Sequence, residues 1–295
     1  MMEATTLMFG VGATKAGTSW LHRYLFEHPQ CALPNIKELH YFNRIKPRQH
    51  DKEMLRLNTL RADLVTKSLI VGKQQAARLE VRISEVEDWI AVMQRGAVEQ
   101  DAYLAFLNRN TGPGTRLVGD ITPAYGLMNE ATLADMAAMA PDTRFVLLLR
   151  DPLDRLWSNL RMMAGWRIQE GGDLGAKANH LFKRLLQGEE EGVAKRSDYS
   201  GMLTRLQNVV PAERLHIAFY EELFTQTAVD KICAFLGVDS HPGDFGRVVH
   251  ASQPAELDMG RVPQVADMLI PHYDYVLGLM GELPARWLQN REVLT

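Results

Sequence analysis

The sequence predicts an α/β fold in three layers, a central and mainly parallel β-sheet flanked by helices. Three observations predict it. The apolar run Leu7-Met8-Phe9 reads as a buried strand that breaks into the glycine-rich stretch Gly10–Gly17 and resumes as a helix. Phe145–Leu149 is continuously apolar, which suits a central parallel strand covered on both faces. Strand, helix and strand alternate through the middle of the chain, which implies right-handed βαβ units.

The 295 residues are 46% hydrophobic and 23% charged, ordinary values for a chain able to bury a core. No repeat, low-complexity tract or clear linker divides it. Residues 1–295 therefore read as a single domain, with helical insertions at about 44–107 and 165–198. A net charge of −3 sets up no global field for nucleic acid or anionic membrane, so an anion site must be locally basic. Cys31 and Cys233 lack a C-x-x-C partner and read as reduced, packed thiols. The apolar runs are strand-length, and the N-terminus lacks a basic segment followed by a long apolar one. The expected location is cytoplasmic, without a membrane span.

In chain order, the first helix runs from about Ser19 to His28 on the apolar positions Trp20, Leu21, Tyr24 and Leu25, stopped by Pro29. Cys31–Phe42 alternates around Pro34 and reads as an extended segment returning past the loop mouth. In 44–107, Val86, Trp89, Ile90 and Met93 give one buried helical face, so this insertion is expected to cover the sheet on the acceptor side. Arg116–Asp120 is a short strand, and Asn129 caps a helix carrying Leu133 and Met136. After the central strand, Asp151 is the N-cap and Pro152 the first residue of a helix. Leu153, Leu156, Trp157 and Leu160 form its buried stripe, with Asp154, Arg155 and Ser158 on the opposite face. Gly165–Ser197 is charged and glycine-punctuated and reads as mobile. Leu215–Phe219 is a late strand, and Gly237 ends the helix that follows it.

The chemistry lies at two strand ends. Gly12 to Gly17 has the G-x-x-x-x-G spacing of a P-loop, but Thr18-Ser19 follow where Lys-Ser/Thr is expected, and the lysine has moved inside the loop to Lys15. Glycines let several N–H groups curl toward one anion, and a helix N-terminus adds partial positive charge. Arg150 ends the second strand, and an arginine fork suits a phosphate. Two such devices, far apart in sequence, suit a ligand with two separate phosphates.

Lys15–Leu21 resembles the 5′-phosphosulfate loop of sulfotransferases that use 3′-phosphoadenosine 5′-phosphosulfate (PAPS). Phe145–Met162 resembles their 3′-phosphate motif, in which a strand-end arginine and a helix serine match Arg150 and Ser158. The likeness is to the glycan-type and bacterial branch and runs from Leu7 to about Gly237, patchily between Arg44 and Ala102. Cytosolic small-molecule enzymes usually carry Tyr-Pro-Lys-Ser/Thr-Gly-Thr, from which Thr14-Lys15-Ala16-Gly17-Thr18 departs. The resemblance implies PAPS bound by Lys15, Ala16, Gly17, Thr18, Ser19 and Trp20 at one end and by Arg150 and Ser158 at the other. It also matches Gly260-Arg261 to a late Gly-Arg phosphate clamp.

Sulfuryl transfer needs a base for the acceptor and a cation at the leaving phosphate. Lys15 suits the second task. Glu38, in a segment matching the family's glutamate, and His40 are the candidates for the first. Two residues apart on an extended strand, they would face the same side. No metal is expected, and no histidine pair has ligand spacing. The expected partner is a hydroxyl or amine acceptor, a small molecule or glycan; lipid and peptide tyrosine also fit. Trp89 and Trp166 are candidates to stack a sugar. The alternative reading, a metal-dependent nucleotide or small-molecule kinase, lacks the Gly-Lys-Ser/Thr order and a strand aspartate to partner Ser19. Retained Lys15 and Glu38 argue against a nucleotide-binding protein with dead chemistry.

Overall fold

Strand β1 (Thr6–Gly12) is buried at every position, as its run of Leu7, Met8, Phe9 and Val11 requires in a sheet covered on both faces. The computed structural model describes residues 5–43, 47–95, 99–247 and 253–295. After β1 come α1 (Thr18–Glu27), the two-residue β2 (Cys31–Ala32), and helices α2 (Pro47–Ser68), α3 (Lys73–Arg95) and α4 (Gln100–Asn108). Then follow β3 (Leu117–Ile121), α5 (Glu130–Ala137), β4 (Thr143–Leu149) and α6 (Pro152–Arg167). Next are α7 (Leu174–Leu186), α8 (Glu191–Ser197), α9 (Tyr199–Val209), β5 (Leu215–Phe219) and α10 (Gln226–Leu236). Helices α11 (Ala266–Met280) and α12 (Ala285–Leu294) close the chain.

The sheet has the order β2-β3-β1-β4-β5, and every pairing is parallel. The α/β architecture expected from sequence is present, in a stricter form than "mainly parallel". The chain winds to β3 and β2 on one side of β1, and to β4 and β5 on the other. The crevice between β1 and β4 is therefore the switch point, beyond whose carboxyl ends open α/β sheets bind ligands.

Local chemistry sets the element ends. Gly17 precedes α1 in the left-handed region (φ 86°); a Cβ there would meet Leu223 and Tyr220 at 3.0 Å, so glycine is required twice over. The Asn129 side chain accepts the Thr132 N–H, and Asp151 Oδ1 accepts that of Asp154 (2.7 Å). Gly237 ends α10 at φ 74°.

Three expectations are corrected. The segment after Cys31–Ala32 is not extended: beyond Pro34 it turns, with Glu38 and His40 at φ 64° and 58°. Arg155 does not face solvent but is fully buried, donating to Ser197 and to Asn159 Oδ1 (3.5 Å). The cause is the third correction. Residues 174–197 form α7 and α8, which pack on α6 and bury Ala178, Leu181, Phe182 and Leu185, so α6 is covered on a face that its periodicity assigned to water. No helix among the described residues is long and apolar enough to cross a membrane.

The turn after β4 is locked by the C-terminal helices. Tyr273 donates to Asp151 Oδ2 (2.6 Å) and Asn290 to Oδ1 (2.7 Å). The Asp151 N–H donates to Glu221, whose other oxygen accepts from the Trp287 indole. Burial lifts the Asp151 carboxyl from its ordinary 3.8 to about 6, more than its hydrogen bonds lower it. The folded state thus holds an extra proton between those values. This contribution to stability is complete below about 3.8 and lost as pH rises through about 6. Asp151→Asn removes the titration. In urea melts, wild-type stability relative to the variant is expected to fall by up to roughly 3 kcal/mol from pH 4 to pH 7.

Candidate active site

The loop after β1 and the turn after β4 open into one cavity of about 1840 Å³. Of the loop, Thr14, Lys15, Gly17, Thr18, Ser19 and Trp20 line it. Ala16 does not: it is buried, and its N–H donates to the Ala13 carbonyl (3.1 Å), so it holds the curl from beneath. Helix α1 has no side-chain N-cap. No acceptor is found for the N–H groups of Gly17, Thr18 and Ser19 among the described residues, and these are the donors that an anion at a helix start uses.

Arg150 and Ser158 line the same cavity. The Arg150 guanidinium lies 4.6 Å over the Tyr220 ring and donates to the Lys15 carbonyl (3.2 Å), so the two anion devices touch. Its Nε is buried without a partner, as in a site built for a further acceptor. The Lys15 ammonium is held below its usual pKa by burial first, then by Arg150, Arg161 and Lys37, against the opposing pull of Glu38. Cations crowded this closely raise one another's energy until an anion joins them.

Glu38 and His40 also line the cavity. They meet, with His40 Nε2 3.6 Å from Glu38 Oε2, though by a turn rather than along a strand. Lys37 Nζ pairs with Glu38 Oε1 (2.5 Å), and His40 Nδ1 lies 3.0 Å from Asn43 Oδ1. Burial pushes the Glu38 carboxyl up, but Lys37, His40 and Arg56 together outweigh it and leave the group below its ordinary 4.5. It is thus a carboxylate across the neutral range. Among the described residues, the non-glycine positions with positive φ are Lys15, Glu38 and His40 (74°, 64° and 58°). Backbone strain of this kind gathers at functional sites.

Other expectations fare differently. Gly260 and Arg261 do not line the cavity; they sit in the 3₁₀ turn Met259–Val265, where Arg261 Nε donates to Asp258 (2.6 Å). No described residue of α2, α3 or α4 lines the cavity either. The wall comes from 161–174 and 188–196. Trp89 is wholly buried, whereas Trp166 is 74% exposed on the cavity rim. Sequence reasoning missed Arg161, one helical turn beyond Ser158, and the two phenylalanines Phe224 and Phe245 that join Trp20, which stacks on Phe245 at 5.7 Å. Counting three residues on from Ser158 would have found Arg161; no motif marks the phenylalanines. Among the described residues, no group of three or more His, Cys, Asp and Glu side chains is arranged to hold a metal ion.

A family model described as "Sulfotransferase family" matches residues 8–242. The chain belongs to the sulfotransferase family. Its fold is similar to that of a sulfotransferase from Alicyclobacillus acidocaldarius (TM-score 0.61, 21% identity, covering 97% of this chain and 99% of the other). It is also similar to the sulfotransferase domain of the Synechococcus PCC 7002 olefin synthase (TM-score 0.53, 16% identity, covering 95% of each chain). No curated protein matches the chain significantly. In this sulfotransferase, the matched region holds both strand ends and the Glu38 segment; α11 and α12, which brace the Arg150 turn, lie beyond it.

The Glu38 geometry carries its own test. An NMR titration of its carboxyl carbon is expected to give a midpoint below 4.5. Lys37→Met, which removes the paired ammonium, is expected to raise that midpoint.

Proposed function

We propose that this sulfotransferase moves a sulfuryl group from PAPS to a hydroxyl or amine of a small molecule or glycan. The observation that carries the reading is the contact between the two anion devices, with Arg150 Nε left without a partner. The donor, when bound, supplies an activated sulfuryl group on a phosphate that leaves with the electron pair of the broken bond. Arg150 and Ser158 hold the 3′-phosphate and so distinguish this nucleotide from ADP. The N–H groups of Gly17, Thr18 and Ser19 hold the 5′ end, and Trp20, Phe224 and Phe245 offer a stacking surface for the base.

Lys15 neutralises the charge that grows on the leaving oxygen, and its partly desolvated position strengthens that effect. Glu38 takes the acceptor proton as the new bond to sulfur forms. Its carboxylate is ionised at neutral pH, and Lys37 and His40 hold it in place. His40 is the close alternative for the base, and the variants below distinguish the two.

The nucleotide reading is tested by calorimetry without magnesium. 3′-Phosphoadenosine 5′-phosphate is expected to bind far more tightly than ADP, and Arg150→Ala to remove most of the difference, about 30-fold or more. Equal affinities for the wild type would overturn the reading.

The chemical roles are tested by PAPS turnover across a panel of alcohols, phenols and sugars. Lys15→Ala is expected to depress kcat far more than it weakens product binding, because charge on the leaving oxygen develops only in the transition state. Glu38→Gln is expected to lower kcat about 10²–10⁴-fold with PAPS binding nearly unchanged, and His40→Asn much less. Activity in Glu38→Gln with loss in His40→Asn would reverse the assignment.

A further inference from the structure

The helices of residues 47–108 line none of the cavity, yet they hold two of the most deeply buried polar contacts in the molecule. Glu85 on α3 is 1% exposed and Asp120 at the end of β3 is 2% exposed. Glu85 Oε1 accepts the Ile36 N–H (2.9 Å) and Oε2 accepts from the Asn35 amide (2.9 Å). Asp120 accepts from the hydroxyls of Tyr103 on α4 (2.9 Å), Tyr125 (2.7 Å) and Thr122 (2.7 Å). Two of those hydroxyls pass the contact on. Tyr125 Oη accepts the Tyr41 N–H (3.0 Å), and Thr122 Oγ1 accepts that of His40 (3.5 Å). Tyr41 then stacks on Tyr103 at 4.4 Å.

We propose that Glu85 and Asp120 are positioning residues for the reaction, and that the first helical insertion exists to hold the Asn35–Tyr41 loop from behind. The inference rests on the reading of Glu38 and His40 as the groups that handle the acceptor proton. Those two residues lie between the two buried carboxylates' contacts, Ile36 on one side and Tyr41 on the other. Both adopt left-handed backbone angles, which a lysine–glutamate–leucine–histidine sequence does not choose unaided. A loop of this kind keeps its shape only where its surroundings over-determine it. Each buried carboxylate does so by accepting backbone or relayed N–H groups that have no water to turn to. The loop's shape sets which groups face Glu38: Lys37, His40, Lys15 and Arg56.

The test reads the loop without an acceptor or a donor. Glu85→Ala and Asp120→Asn are compared with wild type by hydrogen exchange and by the Glu38 carboxyl titration. Exchange of the Ile36 and Tyr41 amides is expected to rise about tenfold or more, with β4 and α6 amides unchanged. The Glu38 midpoint is expected to rise toward 4.5 as Lys37 and His40 lose their fixed places. Glu85→Gln, which keeps an acceptor for Ile36, is expected to restore both signatures in large part. Should Asp120→Asn fail to fold, Tyr125→Phe keeps the ring and removes the relay to Tyr41 together with one donor to Asp120, and it is expected to raise exchange of the Tyr41 amide and shift the Glu38 midpoint in the same direction.

Wild-type protection and an unmoved Glu38 titration in Glu85→Ala and in the Asp120 or Tyr125 variant would overturn the proposal. The base assignment falls separately, if Glu38→Gln keeps full turnover while the loop signatures appear as expected.

Discussion

Across the crevice between β1 and β4, the Arg150 guanidinium donates to the Lys15 carbonyl, and this contact ties the loop after β1 to the turn after β4. Everything around it maintains an arrangement that electrostatics alone opposes. Burial, and after it the nearby Arg150 guanidinium, lowers the proton affinity of both Lys15 and Arg161, so holding these cations together costs free energy. The cost is met by rigid supports. β4 is almost wholly buried, and Tyr199 donates to the Arg150 carbonyl (2.8 Å) while accepting its N–H (3.2 Å). The next residue, Asp151, is held by Tyr273 and Asn290 from α11 and α12. The C-terminal helices, which contribute no lining residue, thus act on the site by holding the turn from which Arg150 projects.

The same logic applies to the other half of the cavity. The first insertion was expected to face the acceptor and instead packs behind the Glu38 loop, with Trp89, Tyr103 and Phe106 forming an aromatic layer under Tyr41 and Phe42. The second, also expected as a helical insertion, supplies the cavity wall. Its α7 and α8 bury α6 from outside, which places Arg155 in the interior and carries Trp166 to the rim. The first insertion could not be placed from composition, because polar helices read alike whether their one apolar face meets a sheet, a loop or another helix.

What was legible in the sequence was whatever local chemistry enforces. The β1 strand, the glycine at the start of α1, the Asn129 and Asp151 caps and the Gly237 stop all depend on residues within a few positions, and all are present. The meeting of Arg150 and Ser158 at the carboxyl end of a central strand followed from the apolar run of β4 and the periodicity of α6, and both line the cavity. Long-range contacts were illegible. Arg155 carries the same face assignment as Ser158 by periodicity, and only α7 and α8 distinguish a buried guanidinium from an exposed one. Gly260-Arg261 was matched on two residues, and the neighbouring Asp258 takes up the arginine. Phe224 and Phe245 reach the cavity from loops that no periodicity describes.

The backbone at Lys15, Glu38 and His40 connects stability to chemistry. Residues of these types held at positive φ cost on the order of 1–3 kcal/mol each, and none has the short polar side chain or missing Cβ that eases the conformation. In an extended segment, successive side chains would point to opposite faces, leaving Lys37 and Glu38 on opposite sides of the chain. The turn instead brings Lys37 and His40 to the two carboxylate oxygens of Glu38. At Lys15, the left-handed angle accompanies the curl that leaves the carbonyl toward Arg150 and the following N–H groups toward the cavity. Strain at these three positions therefore coincides with the contacts that give their side chains unusual environments. The buried carboxylates Glu85, Asp120 and Asp151 are the fixed points against which it is held.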